Sequence, residues 1–237
     1  MKKVIAFSLW GNDPRYLGGS IQNISLAKIF YPDWICRFYV GKSTLANKKF
    51  ISQVKSNENV EVYEMNEEGN WAGMFWRFYA ALDPTVDVML SRDTDSRFGF
   101  REAEAVKDWL QGGKTFHIMR DNPQHGVPIL GGMWGTKIQD FRELVGGGMI
   151  DHKAGNYWQC DQEYLRDHVY PKIKNVACVH DEFFEKKPFP VASGKRSSEH
   201  FVGQAYDGNG YILDVKNYGT VSYRDYLAAN NIDWKVL

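Results

Sequence analysis

Cysteine is scarce in this chain of 237 residues. The three cysteines, Cys36, Cys160 and Cys178, lie far apart, which excludes a disulfide framework and the paired spacing of a zinc motif. Cys36 and Cys178 fall in apolar runs and are predicted to be buried thiols. This usage of cysteine favours a reducing compartment.

An excess of charge of either sign is also missing. Lys and Arg together number 29, Asp and Glu together number 29, and the formal net charge is zero. Nucleic-acid-binding proteins usually show a basic excess or a basic stripe. The richest basic segment here, "EKKPFPVASGKR", is short and is interrupted by Pro and Gly. No nucleic-acid partner is therefore expected.

Long hydrophobic runs are absent as well. No segment approaches the roughly 20 apolar residues of a membrane span. The opening "MKKVIAFSLWGNDP" has an apolar core of only about seven residues and lacks a small-residue cleavage site, so it is predicted to be a first strand and not a signal peptide. The sequence predicts a soluble, cytoplasmic protein with no membrane span.

Short β-rich runs alternate with helical patterns through the first part of the sequence. Strands are predicted at 3–10, 34–40, 60–65 and 86–91. Helices are predicted at 20–31, with Ser20 as a possible cap, at 43–56 and at 71–83. This alternation predicts an α/β fold with a mostly parallel central sheet and helices on both faces.

The second part continues with a helix at 100–113 and strands at 115–121 and 128–135, the second of which is interrupted by Gly131 and Gly132. A helix at 158–170, a strand at 175–181 and a short helical pattern at 223–231 follow. No repeat or linker divides the chain. We predict one domain over residues 1–237.

The segment "VDVMLSRDTDSRFGF", residues 86–100, places Asp93 and Asp95 one residue apart, just beyond the fourth predicted strand. Burying a charge is costly unless it is paired. In open parallel sheets, ligands bind beyond the carboxyl ends of the strands. The position of the two acids therefore favours a functional site.

Four interpretations of the pair compete. Asp95 or Ser96 could cap the next helix, which explains only one acid. An EF-hand is rejected because Arg97 and Phe98 occupy positions that need an acid and a glycine. A phosphatase of the haloacid-dehalogenase type would need Thr or Val where Arg97 stands. The fourth interpretation is a divalent-cation site at which a nucleoside diphosphate supplies further oxygen ligands.

The chain resembles the GT-A fold glycosyltransferases that carry an Asp-x-Asp motif. More narrowly, it resembles a small glycosyltransferase-like group of bacteria and large DNA viruses. The resemblance covers roughly residues 71–184 in the expected order, and the N-terminal half fits in pattern only. The stretches that carry it are "MFWRFYAALDP", "SRDTDSRFGFREAEAVKDWL", "TFHIMRDNPQHGVPILGGMWG", "CDQEYL" and "HDEFF". The resemblance implies a nucleotide-binding half at 1–97 and an acceptor- and sugar-facing half at 98–237. If the chain is viral, the expected compartment is the host cytoplasm.

The resemblance implies a metal site. Asp93 and Asp95 would bind Mn²⁺ or Mg²⁺ together with the ribose and diphosphate of the donor. Arg77, on the helix before the motif, would pair with these acids unless it is only an exposed helix charge. His180 in "VACVHDEFF" would complete the metal shell, since neutral imidazole is a suitable Mn²⁺ ligand. His200 in "SEHFVGQ" is the rival for that role.

The resemblance also implies groups that face the donor sugar. Asp161, at a predicted helix start, would act as a general base or stabilise a developing oxocarbenium ion, unless it is only a helix cap. Gly131 and Gly132 would let the backbone approach the sugar closely, unless they form a β-bulge. The residues assigned to the nucleotide end are Phe7, Ser8, Leu9 and Trp10, with Arg97 as a further donor-binding residue.

These roles predict a metal-dependent hexosyl- or pentosyltransferase. Its donor would be a nucleotide sugar, with UDP favoured over GDP, and its acceptor a glycan or another hydroxyl compound. A non-catalytic domain that binds a sugar nucleotide or a glycan is the alternative, because fold does not fix function. Catalysis is favoured because a binding domain would not need the full set of Asp93, Asp95, Arg97 and Asp161. The stereochemical outcome stays open, since the acidic base of many inverting enzymes has no clear match.

Overall fold

The computed structural model describes residues 1–146, 148–151, 155–194, 196 and 200–213. The predicted helical pattern at 223–231 lies outside these residues. Within them, no helix combines the length and the apolar character that crossing a bilayer requires.

A seven-stranded sheet forms the centre of the protein, with strand order β3-β2-β1-β4-β6-β5-β7. Only β6 runs antiparallel to its neighbours, β4 and β5, and the other strand pairs are parallel. The predicted, mostly parallel sheet is confirmed. The strands are β1 (Lys3–Leu9), β2 (Trp34–Val40), β3 (Val60–Glu64), β4 (Val88–Ser91), β5 (Phe116–Arg120), β6 (Trp134–Lys137) and β7 (Ala177–Asp181).

Helices connect most of the strands. A 3₁₀ helix (Trp71–Leu82) stands where a helix is predicted at 71–83, and a π-helical turn (Leu165–Val169) joins α7 to α8. The α-helices are α1 (Pro14–Phe30), α2 (Lys42–Ala46), α3 (Lys48–Lys55), α4 (Phe100–Gln111), α5 (Ile138–Leu144), α6 (Gly148–Asp151), α7 (Cys160–Tyr164) and α8 (Tyr170–Ile173).

Apolar side chains bury both faces of the sheet, as predicted. On one face, α1, α3 and α4 contribute residues such as Ile24, Val54 and Trp109 to one core cluster. On the other face, the 3₁₀ helix and α5 contribute Phe78 and Phe141 to a second cluster. Burial on both sides is the usual condition of a parallel sheet.

The first helix begins earlier than the sequence pattern indicates. Asp13 is its N-cap and accepts a hydrogen bond from the backbone N–H of Arg15, and Pro14 stands in the first helical turn. Ser20 lies inside the helix, where its hydroxyl donates to the carbonyl of Tyr16. The predicted Ser20 cap is therefore wrong, because the Asp13-Pro14 start caps the helix about two turns upstream.

The predicted strand at 128–135 is also wrong over most of its length. Strand pairing begins only at Trp134. Before it, the chain forms a loop in which the carbonyl of Gly131 accepts a hydrogen bond from the hydroxyl of Ser91. The loop backbone is therefore hydrogen-bonded to the Ser91 side chain at the end of β4, and not to the β4 backbone as a paired strand would be.

Candidate functional site

The two carboxylates of the Asp-x-Asp segment lie just beyond the C-terminal end of β4, next to the end of the parallel strand β1. The 3₁₀ helix approaches the same edge, because the backbone N–H of Arg77 donates to the hydroxyl of Ser8 at 3.0 Å. Strand ends and a helix from separate parts of the sequence therefore meet at one edge of the sheet.

A cavity of about 970 Å³ opens at this edge. That volume lies within the range of small-molecule binding sites. Nine of the site residues predicted from the sequence line it: Ser8, Leu9, Trp10, Arg77, Asp93, Asp95, Gly131, Gly132 and Asp161.

Arg77 lies between two acids. One guanidinium nitrogen, Nη1, pairs with Asp93, and the other, Nη2, donates to Asp161 Oδ2 at 2.7 Å. The side chains of Arg77 and Asp161 are each 3% exposed. Burial by itself would lower the pKa of Arg77, but Asp93 and Asp161 more than offset this, so the pKa is raised. Arg77 is thus a buried cation, not an exposed helix charge.

Asp95 pairs with a different arginine, Arg15 of α1. Burial and the neighbouring Asp93 charge raise the pKa of Asp95, and Arg15 opposes this rise. Asp95 does not cap α4, whose N-cap is Gly99 without a side-chain bond. Ser96 does not cap it either, since its hydroxyl donates to the carbonyl of Asp93. The helix-cap interpretation of the motif is therefore wrong.

Asp161 lies in the first turn of α7, which has no side-chain cap bond and follows Gln159 in a left-handed conformation (φ 70°). Its carboxylate is directed to Arg77 instead of to the helix backbone. The cap interpretation of Asp161 is excluded by the same geometry.

The two glycines of the 128–133 loop lie against the charged groups. A Cβ atom at Gly132 would fall 1.9 Å from Asp93 Oδ2. At Gly131 it would fall 2.5 Å from both Arg77 Nη2 and Asp161 Oδ2. Both positions therefore need glycine for close approach to side chains. The alternative interpretation, a β-bulge, does not apply, because this loop is not part of the strand ladder.

Two predicted donor-binding residues do not line the cavity. Phe7 is fully buried and stacks on Phe38 with ring centroids 4.8 Å apart. Arg97 donates to Gln22 and to the carbonyls of Thr94, Ser96 and Asp207. Arg97 thus organises the loop that carries the motif, and it is not presented to the cavity.

The two histidines predicted as metal ligands do not line the cavity either. His180 lies on β7, three strands from β4, which corresponds to about 14 Å of sheet. Its Nδ1 bonds to His117 Nε2 at 2.8 Å, and its Nε2 lies 3.2 Å from Asp108 Oδ2. His200 Nδ1 bonds to the hydroxyl of Tyr206 at 3.0 Å. His180 is therefore engaged elsewhere, which corrects its assignment to the Asp93 and Asp95 site.

Several residues that line the cavity were not predicted from the sequence. Arg15 follows β1, so the rule that ligands bind beyond strand ends could have found it. His125 accepts a hydrogen bond from the backbone N–H of Asp121, and burial lowers its pKa to about 4. Trp71 and Trp158 line the cavity with side chains 45% and 67% exposed, and no local pattern distinguishes them from core tryptophans.

The residues present fit a divalent cation. Asp93 and Asp95 offer hard oxygen donors, which Mg²⁺ and Mn²⁺ prefer. The effect of Asp93 on the pKa of Asp95 shows that the two charges lie close enough to repel. Within the described part of the chain, these carboxylates belong to no cluster of three His, Cys, Asp or Glu donors. The remaining coordination positions would go to diphosphate oxygens and water.

Neither a family model nor a curated protein matches the sequence. Solved structures do match the fold. TarS of S. aureus (residues 1–349) has a TM-score of 0.53 and 11% identity, over 80% of this chain and 59% of that one. The mannosyltransferase PcManGT from Pyrobaculum calidifontis, in complex with GDP-Man and Mn²⁺, has a TM-score of 0.51 and 12% identity, over 78% of this chain and 58% of that one. The chain has the GT-A fold.

The predicted fold class is thereby confirmed. A glycosyltransferase involved in the glycosylation of the major capsid of PBCV-1 also matches, with a TM-score of 0.48 and 14% identity over 77% of this chain and 82% of that one. This chain spans less than two thirds of the TarS and PcManGT chains. At these identities the similarity concerns the fold alone.

Proposed function

We propose that the protein is a divalent-cation-dependent glycosyltransferase that moves a sugar from a nucleoside diphosphate sugar to a hydroxyl acceptor. The observation that carries this proposal is the meeting of Asp93, Asp95, Arg77 and Asp161 at one cavity beyond the strand ends of a GT-A fold. Structural needs alone would not place four charged side chains at one opening, because each charge is costly to desolvate.

Asp93 and Asp95 would hold Mn²⁺ or Mg²⁺. When bound, the cation would neutralise negative charge on the diphosphate leaving group. Arg15 and Arg77, which pair with the two carboxylates, lie where their guanidinium groups can also donate to phosphate oxygens. The chain thus supplies both the anionic ligands of the cation and two donors for the phosphates.

The nucleotide base would lie at the end of β1. Ser8, Leu9 and Trp10 line that side of the cavity, and Trp10 packs edge-on against Trp76. A UDP-sugar is the first donor to test. A GDP-sugar is the second, because PcManGT, whose fold is similar, binds GDP-Man and Mn²⁺.

Asp161 would act at the sugar. In the transfer, the acceptor oxygen bonds to the anomeric carbon, the bond from that carbon to the diphosphate oxygen breaks, and its electron pair leaves with the diphosphate. The acceptor proton goes to Asp161 or to solvent. Alternatively the Asp161 charge stabilises the developing oxocarbenium ion. Arg77 holds the Asp161 carboxylate in place for either role.

The acceptor would lie at Trp71 and Trp158, which also line the cavity. Exposed aromatic faces in a cleft suit the apolar faces of sugar rings. The backbone N–H of Trp71 donates to Asn156 Oδ1, so the start of the 3₁₀ helix and the segment before α7 are tied together there. This arrangement supports a glycan acceptor.

Calorimetric titration of UDP-sugars and GDP-sugars, in Mn²⁺ and then in EDTA, tests the proposal. We expect one nucleotide to bind at least about tenfold more tightly with Mn²⁺, and Asp93→Asn and Asp95→Asn to remove that difference. Asp167→Asn is the matched control, because Asp167 pairs with Arg166 on the surface with a side chain 51% exposed. Equal affinity in Mn²⁺ and EDTA would refute the cation site.

Release of free sugar from the donor in the same samples separates a transferase from a binding domain. A transferase is expected to hydrolyse its donor slowly without an acceptor. Asp161→Asn is expected to lower that rate about 10²–10⁴-fold, the usual scale for a positioned acid or base. Tight nucleotide binding without any hydrolysis would instead favour the non-catalytic alternative.

A further inference from the structure

A second cluster of ligating side chains lies outside the cavity, between α4 and β7. A carboxylate oxygen of Asp108, the Sγ of Cys178 and a ring nitrogen of His180 lie within 4.8 Å of one another. Cys178 and His180 are two residues apart on β7 and therefore point to the same face of the sheet. Asp108 of α4 covers that face, and its side chain is 56% exposed.

The spacing of these atoms fits one bound cation. Zinc–ligand bonds of about 2.0–2.3 Å in a tetrahedron place neighbouring ligand atoms roughly 3.3–3.8 Å apart. His180 Nε2 and Asp108 Oδ2 are already 3.2 Å apart. Small side-chain shifts would bring Cys178 Sγ to the same centre, because its distance to each of the other two donors is no more than 4.8 Å.

His180 is held for this role by a neighbouring ring. Its Nδ1 bonds to Nε2 of the fully buried His117 at 2.8 Å. His117 in turn stacks on Trp109 with ring planes 10° apart. When Nε2 of a histidine binds a metal, the other nitrogen normally donates its proton to a fixed partner, which orients the ring. The bond to His117 supplies that partner.

The geometry points to a zinc-class cation site formed by Asp108, Cys178 and His180, distinct from the cavity at Asp93 and Asp95. Thiolate, imidazole and carboxylate together select Zn²⁺ or Co²⁺ over Mn²⁺ and Mg²⁺, which prefer oxygen. The Cys178 thiol releases its proton to solvent on binding, since the thiolate is the ligand. A fourth position stays open to water beside the exposed Asp108. The site links α4 to β7, the edge strand, and so stabilises this end of the sheet.

Cobalt titration of the metal-stripped protein tests this proposal without any donor or turnover. A thiolate ligand gives Co²⁺ a charge-transfer absorption in the near ultraviolet. We expect one Co²⁺ per chain with this band, displacement by Zn²⁺, no displacement by equal Mn²⁺, and a higher melting temperature with Zn²⁺. Cys178→Ser should abolish the band, and His180→Ala and Asp108→Asn should weaken binding more than about tenfold.

Two controls keep the outcome interpretable. Cys36→Ala removes a thiol buried on β2, and Asp93→Asn removes a cavity carboxylate. Both should keep the band. In the unaltered protein, which requires no variant to fold, Zn²⁺ should slow alkylation of Cys178 more than alkylation of the buried Cys36 and Cys160. A wild-type protein with no thiolate band, a band that survives Cys178→Ser, or no protection of Cys178 would overturn the site. Because no nucleotide enters these experiments, their failure would leave the proposed transferase activity unaffected.

Discussion

Gly131 offers a direct test of whether the Arg77–Asp161 pair controls the site. In Gly131→Ala, the new methyl carbon would lie 2.5 Å from Arg77 Nη2 and 2.5 Å from Asp161 Oδ2, whereas ordinary contacts begin at 3.4 Å. Each of these atoms would have to retreat by roughly 0.9 Å. Gly131 is not in a left-handed conformation, so alanine adds no backbone strain. The perturbation is therefore steric and acts on the ion pair.

The magnitude follows from the burial of the pair. Both side chains are only 3% exposed, so neither can move into water to make room. Overpacking of a closed site typically costs about 1–3 kcal/mol of unfolding free energy. A misplacement of about 1 Å in a positioned group can cost roughly 10²-fold in rate. We therefore expect Gly131→Ala to lose about 1–3 kcal/mol of unfolding free energy and roughly 10²-fold in rate.

Gly126→Ala is the matched control. Gly126 lies in the same connection between β5 and β6, and its added Cβ would meet only the Phe184 ring, at 3.7 Å. This is an ordinary contact, so the change should stay within about 0.5 kcal/mol. The assays are urea unfolding of both variants, donor hydrolysis, and nucleotide affinity in Mn²⁺.

The stability measurement stands even before the donor is known. If Gly131→Ala unfolds at the same urea concentration as Gly126→Ala and hydrolyses donor at the same rate, the close approach of the loop to Arg77 and Asp161 is not a feature of the protein in solution. A loss of stability without a loss of rate would mean that the pair supports the fold and not the chemistry.

Three further results are expected. Arg77→Met should lower the unfolding free energy by about 3–5 kcal/mol in urea titrations, because it leaves the buried Asp161 carboxylate without its partner. Asp161→Asn should cost less, because Arg77 still pairs with Asp93, and the double variant should lose less than the sum; additive losses would contradict the pairing. As the pH falls from 6.5 to 4, the unfolding free energy should fall. Burial lowers the pKa of His125 from 6.5 to about 4, so in this pH range only the unfolded state takes up a proton on this ring. Melting curves should show that His125→Gln removes about 1–3 kcal/mol of the fall, and an unchanged fall would contradict a buried neutral ring. Trp71→Ala and Trp158→Ala should raise the acceptor KM roughly 5–30-fold in initial-rate assays, because an aromatic contact contributes about 1–2 kcal/mol. Nucleotide affinity should change little. Unchanged KM values would place the acceptor elsewhere.

The alternation of strands and helices could be predicted from the sequence because it rests on local patterns. β2 occupies the predicted residues 34–40. The helix predicted at 43–56 has the right position but is two helices, because Asn47 ends α2 and caps α3. Hydrophobic periodicity and capping groups act within a few residues, so they are legible along the chain.

The Asp-x-Asp pair could also be located from sequence, because strand-end position follows from the strand pattern. The sequence could not show which arginine meets which acid. Arg77 and Asp161 are 84 residues apart, and Arg15 and Asp95 are 80 apart. These pairs exist because β1 and β4 are neighbours in the sheet and because the 3₁₀ helix and α7 pack at the same edge.

The histidines show what only the tertiary structure decided. His180 has the expected strand-end context, but β6 and β5 lie between β4 and β7 and carry it away from Asp93. Its neighbours, Asp108 and His117, come from α4 and β5, and no motif along the chain connects them. Sequence patterns fix which elements form and where each strand ends, because those depend on residues close in the chain. Strand order and helix packing fix which side chains meet, because those depend on the burial of the whole chain at once.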